Sequence, residues 1–227
     1  LMENIALTYS QASNVGVIVS IAPVFTAITV RIFLKEEGKL RPAFFMGCVI
    51  ALIGISLISF SGTTMHLNPI GDLLSVGGAI IWSFYSVLSK KIGSFGYSVV
   101  QATRRTFFYG ILFMIPALFI FDFKWNLTRF ATSAYLFNIF YLGLGASAIC
   151  FVTWNMAVRI LGAIKTSVYI YLAPVVTAVT SVIILHEKIT FLSGLGILLV
   201  LGGLLLSEQK KKFFSIRGRK QTENVIE

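Results

Sequence analysis

Charge is scarce in this sequence. Only 12% of its 227 residues are Asp, Glu, Lys or Arg, about half the share of an ordinary soluble domain. Acidic residues are the rarer kind, 9 against 19 basic ones. A soluble core of this size could not hide the 56% of residues that are hydrophobic, which excludes a compact water-soluble domain. Cysteine is nearly missing as well. Cys48 and Cys150 lie inside apolar runs without metal-ligand spacing, so they read as buried free thiols and not as a disulfide or a zinc site. The two histidines, His66 and His186, have no acidic cluster between them. No Gly-rich phosphate loop followed by Lys is present, which excludes an ATP-driven pump within this chain. No cofactor, metal site or catalytic group is expected, and the chain does not read as an enzyme.

What is plentiful is apolar length. Uncharged runs predict seven membrane-crossing helices, over Ser13–Leu34, Ala43–Phe60, Leu73–Leu88, Val99–Phe121, Ala134–Val158, Thr166–Leu185 and Leu192–Leu206. An apolar stub, Leu1–Ala12, precedes them. With no charged leader ahead of an isolated apolar stretch it is not a signal peptide, and it resembles the end of a helix.

The basic residues orient these spans. With the C-terminal tail in the cytoplasm, Arg31, Lys35, Lys39, Arg41, Lys90, Lys91, Arg104, Arg105, Arg159 and Lys165 fall on that side, together with six in the tail Lys210–Lys220. Only Lys124, Arg129 and Lys188 fall outside, a division of 16 to 3. The positive-inside rule therefore predicts a multi-pass protein of the cell membrane with a cytoplasmic C-terminus. The basic tail suits anionic lipid headgroups, and the net charge of +10 does not call for nucleic acid.

Shifting the chain by 151 residues lays Asn4–Glu36 over Asn155–Glu187 with 13 identities in 33 positions, Pro23/Pro174 and Glu36/Glu187 among them. A two-residue gap then sets Gly47 over Gly196 and Gly54 over Gly203. The second copy holds five spans, from Gly71 to Ser207. An odd number per copy makes the copies face opposite ways, the inverted repeat of many secondary transporters. Since 71 − 151 = −80, the expectation is that roughly eighty residues, or two and a half helices, precede Leu1 in the complete protein.

The motifs Glu3-Asn-Ile-Ala-Leu-Thr-Tyr-Ser, Ile21-Ala-Pro-Val-Phe-Thr, Ile81-Trp-Ser-Phe-Tyr-Ser and Tyr171-Leu-Ala-Pro-Val-Val resemble the EamA-like branch of the drug/metabolite transporter superfamily. The resemblance covers the chain up to Ser207 and implies an all-α fold of ten transmembrane helices around a central cavity, here without about the first two and a half. It implies the end of one repeat over residues 1–61, a second repeat over 71–207 and a cytoplasmic tail over 208–227. It also implies secondary transport of amino acids, metabolites or toxic compounds, often outward. The partners expected are a small-molecule substrate and membrane lipid, with a homodimer as an open alternative. A membrane-embedded enzyme acting on a lipid-linked substrate is the competing reading.

Candidate cavity residues follow from chemistry at mid-depth. Pro23 and Pro174 each lack an N–H and deprive the carbonyl four residues back, Val19 or Ile170, of its usual bond. Irregular backbone of this kind is tolerated where it lines a cavity, and packing kinks are the bland alternative. Ser20 and its repeat mate Tyr171 flank these prolines. Trp82, Tyr85 and Ser86 share one stretch of a span, and Trp154 with Asn155 another; either packing or substrate contact suits them. Asn155 must find a hydrogen bond, usually on a neighbouring helix. Glu3 is an intramembrane carboxylate, costly there by about 2.5–3.5 kcal/mol on insertion scales, and is the candidate for proton coupling.

Overall fold

The computed structural model of the chain describes residues 1–34, 41–60, 68–120, 132–185 and 190–208. Among them every regular element is helical, and 7 helices are long and apolar enough to cross a membrane. A short α1, Met2–Tyr9, leads into α2 (Ala12–Phe33), α3 (Pro42–Ser59), α4 (Pro69–Ser94), α5 (Val99–Ile120), α6 (Ser133–Leu161), α7 (Ala163–Ile184) and α8 (Phe191–Glu208). Glu36, Glu187, both histidines, the three outer basic residues and the tail from Lys210 lie outside the described residues.

Local chemistry explains where the helices begin and bend. The Asn68 carboxamide accepts hydrogen bonds from the N–H groups of Ile70 (3.1 Å) and Gly71 (3.4 Å), and Pro69 occupies the first turn, where its missing N–H costs nothing. This cap starts α4 before the apolar run predicted from Leu73. Gly162 adopts φ +92°, a conformation that disfavours any side chain, and turns the chain from α6 straight into α7. Within α6, Tyr141–Ile149 is wound as a π-helix.

Pro23 and Pro174, the prolines matched by the repeat, fall at breaks in the helices that carry them. In α2 a regular stretch ends at Val19, and a second begins at Ala22 with Pro23 in its first turn. In α7, Tyr169–Tyr171 tightens into a 3₁₀ turn before the helix resumes at Leu172. Pro174 cannot donate to Ile170, and the tighter turn falls at that point.

Glycine joins α3 to α8. A β-carbon at Gly47 would lie 2.5 Å from the Gly203 carbonyl oxygen, and one at Gly54 would lie 2.6 Å from that of Gly196. The converse contacts are equally close: Gly203 meets the Gly47 carbonyl and Gly196 that of Gly54. The helices run antiparallel with their backbones touching, the small-residue contact that membranes favour. Residues paired by the repeat thus exchange partners across the seam, as a two-fold axis requires.

Two apolar clusters hold the rest. Ala27, Cys48, Ile55, Val168, Tyr171 and Val200 join α2, α3, α7 and α8, while Val30, Val87, Val158 and Ala163 join α2, α4, α6 and α7. Between α2 and α4 the buried Thr29 and Ser83 hydroxyls lie 3.0 Å apart. By contrast α5 and α6 expose Phe108, Phe113, Phe119, Phe137 and Phe140, a belt suited to lipid and not to water. Both thiols are free, but only Cys48 is buried. Cys150 is exposed, because α6 turns that face away from the bundle, and the expectation of two buried thiols is corrected accordingly.

Candidate functional site

The two broken helices meet at two adjoining cavities, the lobes of one candidate site. The first, about 550 Å3, is walled by Ser13, Gly16 and Ser20 of α2, Ile58 and Ser59 of α3, Ala173, Pro174, Thr177 and Ala178 of α7, and Thr190 and Ser193 at the head of α8. The second, about 680 Å3, is walled by Met2, Ile81, Trp82, Tyr85 and Phe151. Glu3, Val19 and Ile170 border both lobes. Val19 and Ile170 are the residues whose carbonyls the prolines deprive of a helical partner. Backbone irregularity and cavity therefore coincide, as expected where an interrupted helix lies in a membrane.

Hydrogen bonding sets what the lobes present. Ser20 Oγ donates to the Gly16 carbonyl at 2.6 Å and Thr177 Oγ1 to that of Ala173 at 2.9 Å. With their protons committed, these hydroxyls offer acceptor lone pairs. In the second lobe Tyr85 Oη donates to Asn155 Oδ1 at 3.0 Å, and Asn155 Nδ2 donates to Thr103 Oγ1 at 2.9 Å. That chain ties α4, α5 and α6 together. The Trp82 indole nitrogen is buried with no hydrogen-bond partner among the described residues. The polar ends of Trp82 and Tyr85 are thus turned away, and ring surface is what borders the lobe. Trp82 lies 5.3 Å from Tyr85, 5.8 Å from Phe151 and 5.1 Å from Trp154, centroid to centroid.

The structure divides the residues singled out from sequence. Ser20 and Pro174 reach the first lobe, Trp82 and Tyr85 the second, and Glu3 both. Pro23 is buried in the break of α2, not on a wall. Ser86 is buried and back-bonds to the Trp82 carbonyl. Tyr171 is fully buried in the core with its hydroxyl beside the Cys48 thiol, a weak partner that leaves it without a full hydrogen bond. Trp154 edges an open groove with Thr153, Ala157 and Thr166, and Asn155 serves the interhelical network. Phe151 was not foreseen: one phenylalanine among 20 carries no distinguishing signal. Ser59 and Ser193 were missed for a related reason, since serine near a helix end reads as interfacial.

A bundle of seven apolar helices, two of them broken at mid-depth around a shared cavity, has the build of a membrane transporter. The sequence pattern of the EamA-like transporter family matches residues 1–60 and 69–208. The chain belongs to the EamA-like transporter family, and with 7 helices among its described residues able to cross a membrane it is a multi-pass membrane protein that handles a small-molecule substrate. An uncharacterized transporter of Archaeoglobus fulgidus is 26% identical over 210 residues, 91% of this chain and 70% of that protein. The uncharacterized transporter YvbV of Bacillus subtilis is 27% identical over 217 residues, 93% of this chain and 68% of that protein. A probable terminal-alkyne amino-acid exporter of Streptantibioticus cattleyicolor is 25% identical over 199 residues, covering 88% of this chain and 65% of the exporter. One crystal structure superposes with a TM-score of 0.75 at 20% identity, over 91% of this chain and 70% of that one; it shares the fold. The chain thus spans about two thirds to seven tenths of the proteins it resembles.

Proposed function

We propose that this protein is a secondary transporter, exporting small metabolites or amino acids across the cell membrane by alternating access around the two-lobed cavity. The observation that carries the reading is the meeting of α2 and α7, repeat mates broken at equivalent prolines, on a shared cavity wall. The two-fold exchange of glycines across the α3–α8 seam supports two oppositely facing repeats, over 1–61 and 71–207. An exporter among its relatives supports the outward direction. The exposed aromatic belt of α5 and α6 supports contact with membrane lipid or with a second copy. Glu3, at the junction of the lobes, is the group through which a proton would couple.

The test is flux. Vesicles bearing the full-length protein are screened with labelled amino acids and metabolites, with and without a proton gradient. Saturable uptake of at least one compound is expected; none above protein-free vesicles would reject transport. Orientation is tested separately, with a reporter after Ile226 reading cytoplasmic and one within Gly62–Asn68 reading external. The same side for both would reject the assigned topology.

A further inference from the structure

We infer that the cavity selects an organic ammonium compound, a positively charged amine on an apolar or aromatic body, with its charge beside Glu3 and its body against Trp82, Tyr85 and Phe151. The inference rests on reading the cavity as the transport site and names the class of substrate that this site recognises.

Three observations converge. First, among the described residues no Lys, Arg or His side chain borders either lobe, and Glu3 is the one carboxylate on their walls. A cation gains a countercharge from Glu3 in an apolar surrounding, whereas an anion meets a like charge there. Second, several polar groups of the walls turn acceptors toward the cavity. Ser20 and Thr177 spend their protons on their own helices, and the prolines leave Val19 and Ile170 short of a helical donor. A cation meets lone pairs at each of these positions. Third, the lobe beyond Glu3 shows ring surface, because the Tyr85 hydroxyl is bound to Asn155 and the Trp82 N–H is buried. Aromatic surface attracts cations through its quadrupole and accepts an apolar body by desolvation.

The same logic ranks neighbouring compounds. A neutral molecule of equal shape keeps the aromatic contact and loses the charge. A zwitterionic amino acid keeps the ammonium but brings a carboxylate that no described wall residue neutralises. Both therefore bind less well than the simple cation.

A pair of isosteres isolates the charge. Phenyltrimethylammonium and tert-butylbenzene share shape and differ by one positive charge, and phenylalanine supplies the zwitterion. Binding of each is measured on the full-length protein in lipid nanodiscs, and flux of each in vesicles. The cation should bind about tenfold or more tightly than either comparator, a difference equal to one decade in Kd. Glu3→Gln should bring it down to the level of tert-butylbenzene, while Glu3→Asp keeps most of the preference. Trp82→Leu should weaken the cation more than the neutral isostere. Equal binding of the isosteres, preference for phenylalanine, indifference to Glu3→Gln, or no binding of the cation to folded protein would each overturn the inference. Saturable flux of phenylalanine without flux of the cation would do so while leaving transport intact. Glu3-dependent binding of the cation with no compound crossing the vesicle would instead overturn transport and leave the site standing.

Discussion

The seam between α3 and α8 and the cavity between α2 and α7 are built from the same small residues, yet one is closed and the other hollow. At the seam Gly47, Gly54, Gly196 and Gly203 let two straight helices touch backbone to backbone. At the cavity Gly16 has nothing within 4 Å of where a β-carbon would stand. The difference lies in the helices that carry the glycines. Unbroken antiparallel helices can match small residues seven apart along their whole contact, whereas α2 and α7 are interrupted at their prolines and wall a cavity there. A small residue thus makes a close contact or a void according to the straightness of its helix.

Three substitutions test this contrast. Gly203→Val should have the largest effect, because its side chain collides with the Gly47 carbonyl oxygen and the Ala51 backbone, not with a flexible side chain that could move. A loss of about 3 kcal/mol or more, the upper end of overpacking costs, should appear as a much lower unfolding midpoint in detergent titration. Asn155→Ala should cost less, about 1–2 kcal/mol, by stranding the Tyr85 hydroxyl and removing the bond to Thr103, which keeps its own bond to the Val99 carbonyl. The same titration reads it, and Asn155→Gln should recover little because its longer arm misplaces both bonds. Gly16→Ala should leave stability unchanged or raise it by up to about 1 kcal/mol, as alanine does in an open helix position. Its methyl enters the first lobe and should lower substrate flux in vesicles. A Gly16→Ala variant as unstable as Gly203→Val would erase the distinction between seam and cavity.

Much of the architecture is legible in the residues. Apolar run length predicts seven spans, and among the described residues 7 helices are long and apolar enough to cross a membrane. The matched prolines foretell two interrupted helices, and the carbonyls they release belong to Val19 and Ile170, which border both lobes. Facing is much less legible. Ser20 and Tyr171 are repeat mates, yet Ser20 reaches the cavity while Tyr171 is buried in the core against Cys48. Trp82 and Ser86 are one helical turn apart, and only Trp82 reaches a wall. In water an apolar stripe marks the inner face of a helix. In a membrane the lipid side is as apolar as the core, so periodicity loses its power to tell one from the other.

The number of spans, the repeat, the prolines at the two breaks and a carboxylate at Glu3 are legible in the residues alone, because each depends on composition or on the covalent chemistry of a residue in its own helix. Tertiary structure alone decided that Gly47 meets Gly203 and not its repeat mate Gly196. It also decided that Glu3 borders both lobes and that Phe151 joins Trp82 and Tyr85. Those are relations between helices far apart in the chain. They follow from which backbones can approach and which are held apart, a matter of three-dimensional packing that no local pattern encodes.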